Sequence, residues 1–159
     1  MNIQPIGWVR SSRKEALDDD WDSVTSTIEL DADRFTPDAL HGLTDFSHIE
    51  VVYVFDRVDP TETEVAARRP RNNPAWPLVG IFAQRAKSRP NRLGVSSCTL
   101  TAVEGLTLAV AGLDAIDATP VVDIKPYMIE FAPRGPIRQP GWSHELMAGY
   151  WTVTHPPAG

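Results

Sequence analysis

Several things are scarce in this sequence, and each scarcity excludes something. There is one cysteine, Cys98, so no internal disulfide can form. No apolar run approaches the length that spans a bilayer. The start, M-N-I-Q-P-I-G-W, lacks a basic region followed by a long apolar stretch, so no secretory signal is expected. G-x-G-x-x-G and phosphate-loop signatures are missing, and so is any alternation of strand and helix that would announce a Rossmann-type sheet. The four histidines (His41, His48, His144, His155) are scattered, which gives no support to a metal centre or a nucleophilic triad. A reducing, cytoplasmic setting without membrane or metal follows as the expectation. Cys98, within S-S-C-T-L-T, reads as a small buried hydrophobe on a strand.

The most informative absence is local. Between Glu64 and Glu104 there is no acidic residue, while seven of the fifteen Lys and Arg fall there: Arg68, Arg69, Arg71, Arg85, Lys87, Arg89 and Arg92. The net charge of −6 therefore hides a basic band in an otherwise acidic chain. Such a band suggests a local site for phosphate, carboxylate or nucleic acid. At its centre lies F-A-Q-R-A-K-S-R-P-N-R-L-G-V-S (82–96), with four cations around Pro90 and Asn91 and a close on Gly94.

At 159 residues, 42% hydrophobic and 23% charged, the chain has the length and composition of one soluble domain. Residues 3–10 carry Pro5 and Gly7 and read as an edge or irregular strand. Asp18, Asp19, Asp20 and Asp22 surround Trp21, an aromatic face suited to a cation or flat heterocycle, or simply an exposed turn. Strands are predicted over 24–30, 48–55, 78–83, 95–112 as a pair joined around Glu104 and Gly105, and 121–127. Thr36, Pro37 and Gly42 frame a short helix. Residues 56–77, with four prolines, read as a long loop, and a short helix is expected within 144–150. Many strands with little helix predict an all-β, small single-domain barrel or sandwich with short helices and long loops.

A second polar segment is D-A-I-D-A-T-P-V-V-D-I-K-P-Y (114–127). Strand alternation puts Asp123, Lys125 and Tyr127 on one face, where they could pair with one another or assist proton transfer.

With I-G-W-V-R-S, F-S-H-I at 46–49 and G-I-F-A-Q-R-A-K-S-R-P-N-R-L-G-V-S, this segment resembles the TsaA-like family, also called YaeB-like or TrmO-like. The resemblance runs from residue 3 to about 130. It implies a small β-barrel methyltransferase that uses S-adenosyl-L-methionine, and a homodimer with the donor pocket near the subunit interface. It also implies N6-methylation of threonylcarbamoyl-adenosine in the tRNA anticodon loop. The alternatives are a small-molecule methyltransferase on the same scaffold or a non-catalytic donor-binding module. On this resemblance the barrel domain occupies 1–135, and a Pro- and aromatic-rich tail, 136–159, packs on the domain or its partner. Longer relatives carry a further C-terminal domain, and the likeness is to the short form. Carried over by motif, the donor would meet Asp20, Trp21, Asp22, Phe55, Asp56, Arg85, Val95, Ala115, Ile116, Asp117 and Ala118. Arg68, Arg69, Arg71, Lys87, Arg89, Asn91 and Arg92 would face the anionic substrate, and Asp123, Lys125 and Tyr127 would be catalytic. The chain departs from the family pattern with D-W-D at 20–22, Asp56 for a His, Ala118 for a Gly and Arg92 for a Pro.

Overall fold

The computed structural model describes residues 2–151. Six strands close into an antiparallel barrel: β1 (Gly7–Ser11), β2 (Thr25–Leu30), β3 (His48–Val54), β6 (Leu93–Glu104), β7 (Thr107–Ala111) and β8 (Pro120–Pro126). Around the barrel the order is β1-β2-β7-β6-β3-β8, with β8 returning to β1. Closure leaves no free edge within the barrel, so the segment expected to lie at an edge, β1, is paired on both sides. Two short strands, β4 (Ala67–Arg68) and β5 (Val79–Gly80), form a separate ribbon. One α-helix, α1 (Gly141–Met147), lies in the tail.

Period-two alternation decides what is inside. Val9, Ile28, Leu30, Ile49, Val51, Tyr53, Cys98, Leu108, Val110 and Val121 point inward and are buried. Each large aliphatic among them contributes about 1.5–3 kcal/mol relative to exposure. On β3 the intervening Val52 and Val54 are only half-buried, which explains why that strand reads as apolar throughout. Irregularities at Val52/Tyr53 in β3 and Leu100/Ala102 in β6 bend the sheet to closure. Gly94 is required by packing: a Cβ there would fall on the Tyr53 ring.

Three local expectations change. The strand expected over 78–83 is two residues long and ends in a 3-10 turn, Ile81–Ala83. There Ile81 alone is buried while Phe82 is exposed, and the Gln84 side chain donates to the carbonyls of Arg68 and Val79. The long loop is not structureless, since it contributes β4 and two 3-10 turns. The helix after Thr36 is a single 3-10 turn, Pro37–Leu40, which the Thr36 side chain does not cap. The hairpin at Glu104 and Gly105 is present, with Gly105 at φ 59°.

Candidate functional site

Polar groups from distant parts of the chain meet at one end of the barrel. They are organised around Asp114, which follows buried Leu113 just beyond β7. One carboxylate oxygen, Oδ1, accepts from the Tyr53 hydroxyl at 2.9 Å and from the Ser96 hydroxyl. The other, Oδ2, accepts from the Tyr150 hydroxyl. Three elements, β3, β6 and the tail, therefore fix one side chain, and hydroxyl donors to a carboxylate are among the stronger hydrogen bonds. Burial first, and the Asp114 charge second, push both phenols well above their ordinary value, so each remains a proton donor. For Tyr150 the nearby Arg85 and Arg71 act in the opposite direction without reversing it. Burial and Asp114 also push the Cys98 thiol up to about 12, in keeping with an inert core side chain.

The loop that follows Asp114 is tied to β1. The Asp117 carboxylate accepts from the Ser11 amide at 3.1 Å, and its own amide donates to the Arg13 carbonyl at 2.9 Å. Ala118 adopts φ 66°, the left-handed region where a side chain is strained, and its amide donates to the Val9 carbonyl. The Arg57 guanidinium reaches the carbonyls of Lys14 and Asp117.

The acidic turn adjoins this loop through Arg13 and forms the second wall of the site. Arg13 donates to the carbonyls of Leu17, Asp19 and Asp20 at 2.9, 2.6 and 3.0 Å. Its guanidinium carbon stands 3.7 Å from the Trp21 ring centroid. Trp21 is 4% exposed, so the cation its face receives is the chain's own. Asp20 sits at φ 65°. From the loop after β4, Arg71 grips the Asp19 carboxylate at 2.7 and 3.0 Å.

The basic band is largely engaged within the molecule. Arg69 donates to the Trp76 carbonyl, Arg85 to that of Val95 at 2.6 Å, Arg89 to Gln84 and Arg92 to Val58 at 2.8 Å. Arg68 buries its Nε without a hydrogen-bond partner. Arg85, Lys87 and Asn91 are exposed. Phe55, whose ring meets Tyr53 edge-on at 5.3 Å, donates its amide to the Arg92 carbonyl at 2.8 Å, which joins the end of β3 to the R-P-N-R turn. Asp56 is exposed beside it, and Val95 is 42% exposed.

Asp123 and Lys125 do pair with each other, on the exposed face of β8. They stand opposite Val52 and Glu50 on β3, whereas Tyr53 pairs with Val121. At about 3.3 Å per residue they lie successively farther from the Asp114 end. Tyr127 continues past β8, its amide on the His48 carbonyl. A separate cleft holds Asp123, Ile124 and Pro126 against Leu40 and Phe46, while Asp117, Arg10 and Lys14 border a groove rich in hydroxyls outside β1 and β2. Among the described residues no group of three or more His, Cys, Asp and Glu could hold a metal ion. No described helix is long and apolar enough to cross a membrane.

The family model of the tRNA-methyltransferase O N-terminal domain matches residues 18–132, which include the acidic turn, the basic band and the Asp114 loop. The chain belongs to that family. A tRNA-methyltransferase O structure from Pseudomonas aeruginosa superposes with a TM-score of 0.72 at 28% identity, over 89% of this chain and 61% of that one. The tRNA (adenine(37)-N6)-methyltransferase of Escherichia coli is 36% identical over 110 residues, 67% of this chain and 46% of the relative. A protein of Methanothermobacter thermautotrophicus named as a probable S-adenosyl-L-methionine-binding protein is 38% identical over 130 residues, 80% of this chain and 90% of the relative. The chain spans about half or less of the length of the methyltransferases it matches.

Within this member of the tRNA-methyltransferase O family, the sequence reading overlooked Arg13, Tyr53, Ser96 and Tyr150, and noticed Asp114 without assigning it a role. Tyr53 offered a signal: a phenol in an otherwise aliphatic inward row needs a buried polar partner. Arg13 and Tyr150 gave none, because their partners are main-chain groups or lie far along the chain.

Proposed function

We propose that this chain transfers a methyl group from S-adenosyl-L-methionine to the exocyclic N6 of a modified adenosine, threonylcarbamoyl-adenosine, in the tRNA anticodon loop. The observation that carries the proposal is the convergence, at one barrel end, of the acidic turn, the Asp114 loop and Arg85. These are the segments that the resemblance assigns to the donor, and they fit its chemistry. Carboxylates of Asp20, Asp22 and Asp117 suit a sulfonium and an ammonium, and Arg85 offers guanidinium N–H groups for the donor carboxylate. Phe55, Asp56, Val95 and Ala115, Ile116 and Ala118 complete the lining in this reading. The donor supplies an activated methyl. The chain's part is to hold the acceptor nitrogen in line with it and to exclude water.

Lys87, Arg89, Asn91 and Arg92, with Arg68, Arg69 and Arg71, belong to the acceptor side; Asp123, Lys125 and Tyr127, which the resemblance makes catalytic, run along β8 away from that barrel end and in this reading serve a donor held by the partner subunit. A homodimer in the cytoplasm, with a barrel domain over 1–135 and a tail over 136–159 that packs on it or on the partner, completes the proposal. Residues 152–159 of that tail lie outside the described residues.

One observation favours a second reading. Because Arg69, Arg89 and Arg92 are already bound to main-chain carbonyls, fewer guanidinium groups are open to phosphates. Moreover, an S-adenosyl-L-methionine-binding relative is matched over 90% of its own length. A small-molecule acceptor, or donor binding without chemistry, follows from that.

The test is labelled-methyl transfer to bulk tRNA and to a metabolite extract, with the product nucleosides separated. Label in an N6-methylated adenosine is expected. Label only in a metabolite fraction supports the small-molecule acceptor, and no label with donor still bound supports the binding module.

A further inference from the structure

The tail segment 149–151 lies against both walls of the site just described, although it is outside the region that the family model matches. Its main chain completes the acidic turn. The carbonyl of Gly149 accepts from the Asp20 amide at 3.1 Å, and that of Tyr150 from the Trp21 amide at 3.0 Å. These two amides flank the left-handed Asp20, where the turn cannot supply its own regular partners. Its side chain completes the other wall, since the Tyr150 hydroxyl holds the Asp114 oxygen that Tyr53 and Ser96 leave open.

The segment is anchored beyond these contacts. The Trp151 ring meets Tyr150 edge-on, with centroids 5.0 Å apart. A Cβ added at Gly112 would come within 3.9 Å of Trp151, so the tail also lies close to the turn after β7. Farther back, the Trp76 indole donates to Glu145 of α1 at 2.8 Å. Trp76 belongs to the loop that carries Arg71, and Arg71 in turn holds Asp19.

Two walls separated by more than ninety residues in sequence are therefore bridged by one side chain and two carbonyls. We infer that the tail is an integral wall of the donor site and that Tyr150 is a positioning residue, setting the acidic turn and the Asp114 loop at their working separation. The inference rests on the donor site proposed above. It goes further by assigning a part of the site to a segment outside the matched region. A detachable plug would use only side-chain contacts, whereas here the main chain of the turn depends on the tail.

The test uses the full chain and three variants: Tyr150→Phe, Asp114→Asn and the double variant. S-adenosylmethionine and its demethylated product are titrated by calorimetry, and donor KM and kcat are read in the transfer assay. Tyr150→Phe keeps the ring and both carbonyls and removes only the hydroxyl, so the fold is retained. Its donor Kd is expected to rise about tenfold, the scale of one hydrogen bond to a charged group, with donor KM rising and kcat nearly unchanged. Asp114→Asn should weaken binding similarly, and the double variant should lose less than the two single losses combined, because both changes break the same contact. Unchanged affinity in Tyr150→Phe while the wild type binds overturns the inference and leaves the donor site standing. Tighter binding in that variant makes the tail a plug and overturns it as well. If the wild type binds neither ligand, the donor reading fails and this inference fails with it.

Discussion

Arg13 lies over Trp21 with its guanidinium carbon 3.7 Å from the ring centroid, while its N–H groups close on three carbonyls of the acidic turn. The cluster of aspartates around an aromatic is thus a turn wrapped around an internal cation. Replacing Arg13 by Ala removes the stacking and leaves those carbonyls without their donor. A loss of about 2–3 kcal/mol in unfolding free energy is expected from denaturant melts. Arg13→Lys should recover little of it, because an ammonium cannot stack flat and reach three acceptors at once.

Ala118 occupies a backbone conformation that suits glycine, the residue the family pattern carries there. Relief of the left-handed strain is worth about 1–2 kcal/mol, and the added freedom of glycine in the unfolded chain returns about 0.4–1 kcal/mol. Strain is the larger effect, so Ala118→Gly should stabilise the protein by about 0.5–1 kcal/mol. A lowered melting temperature would mean that the loop does not hold φ 66° in solution.

High pH should unfold the protein through the phenols of Tyr53 and Tyr150. Both have folded-state pKa values raised above the ordinary 10.0, by burial first and by Asp114 second. A raised value means that the folded state holds its proton more tightly than the unfolded chain. The stabilisation is therefore fully present below pH 10 and is lost as pH climbs above it toward the folded values. Urea melts between pH 7 and 11 should show a plateau and then a fall. In Tyr53→Phe that fall should be shallower.

Arg85 and Arg92 both reach main-chain carbonyls, of Val95 and Val58, but only Arg85 acts on the charge environment of Tyr150. Arg85→Ala is expected to abolish donor binding. Arg92→Ala should leave it intact while reducing stability, and calorimetry beside a thermal melt separates the two. With tRNA as ligand, Lys87→Ala should lower the slope of log affinity against log salt by about one.

The strands were legible because they carry alternating aliphatic rows, and the β6–β7 hairpin because Gly105 follows Glu104 between two such rows. Closure was implied only by the resemblance, since the residues left barrel and sandwich open: it depends on β8 meeting β1, a pairing that no local pattern encodes. The length of the 78–83 strand was misjudged because Ile81, buried like a strand residue, sits in a 3-10 turn. At the site, local motifs brought out Asp117, Arg85 and the acidic turn. Tyr150 was overlooked and Asp114 was given no role because their significance lies in one long-range contact, 36 residues apart in sequence. The charge count located the basic band, but it could not tell that most of its arginines would be held by the chain's own carbonyls.

The central claim is that the barrel end around Asp114, Arg85 and the acidic turn is a methyl-donor site. Calorimetric titration of the wild-type chain with S-adenosylmethionine and with its demethylated product tests it most directly. Saturable binding of both, lost in Arg85→Ala, is the predicted result. No binding of either, by a chain shown to be folded, would contradict it.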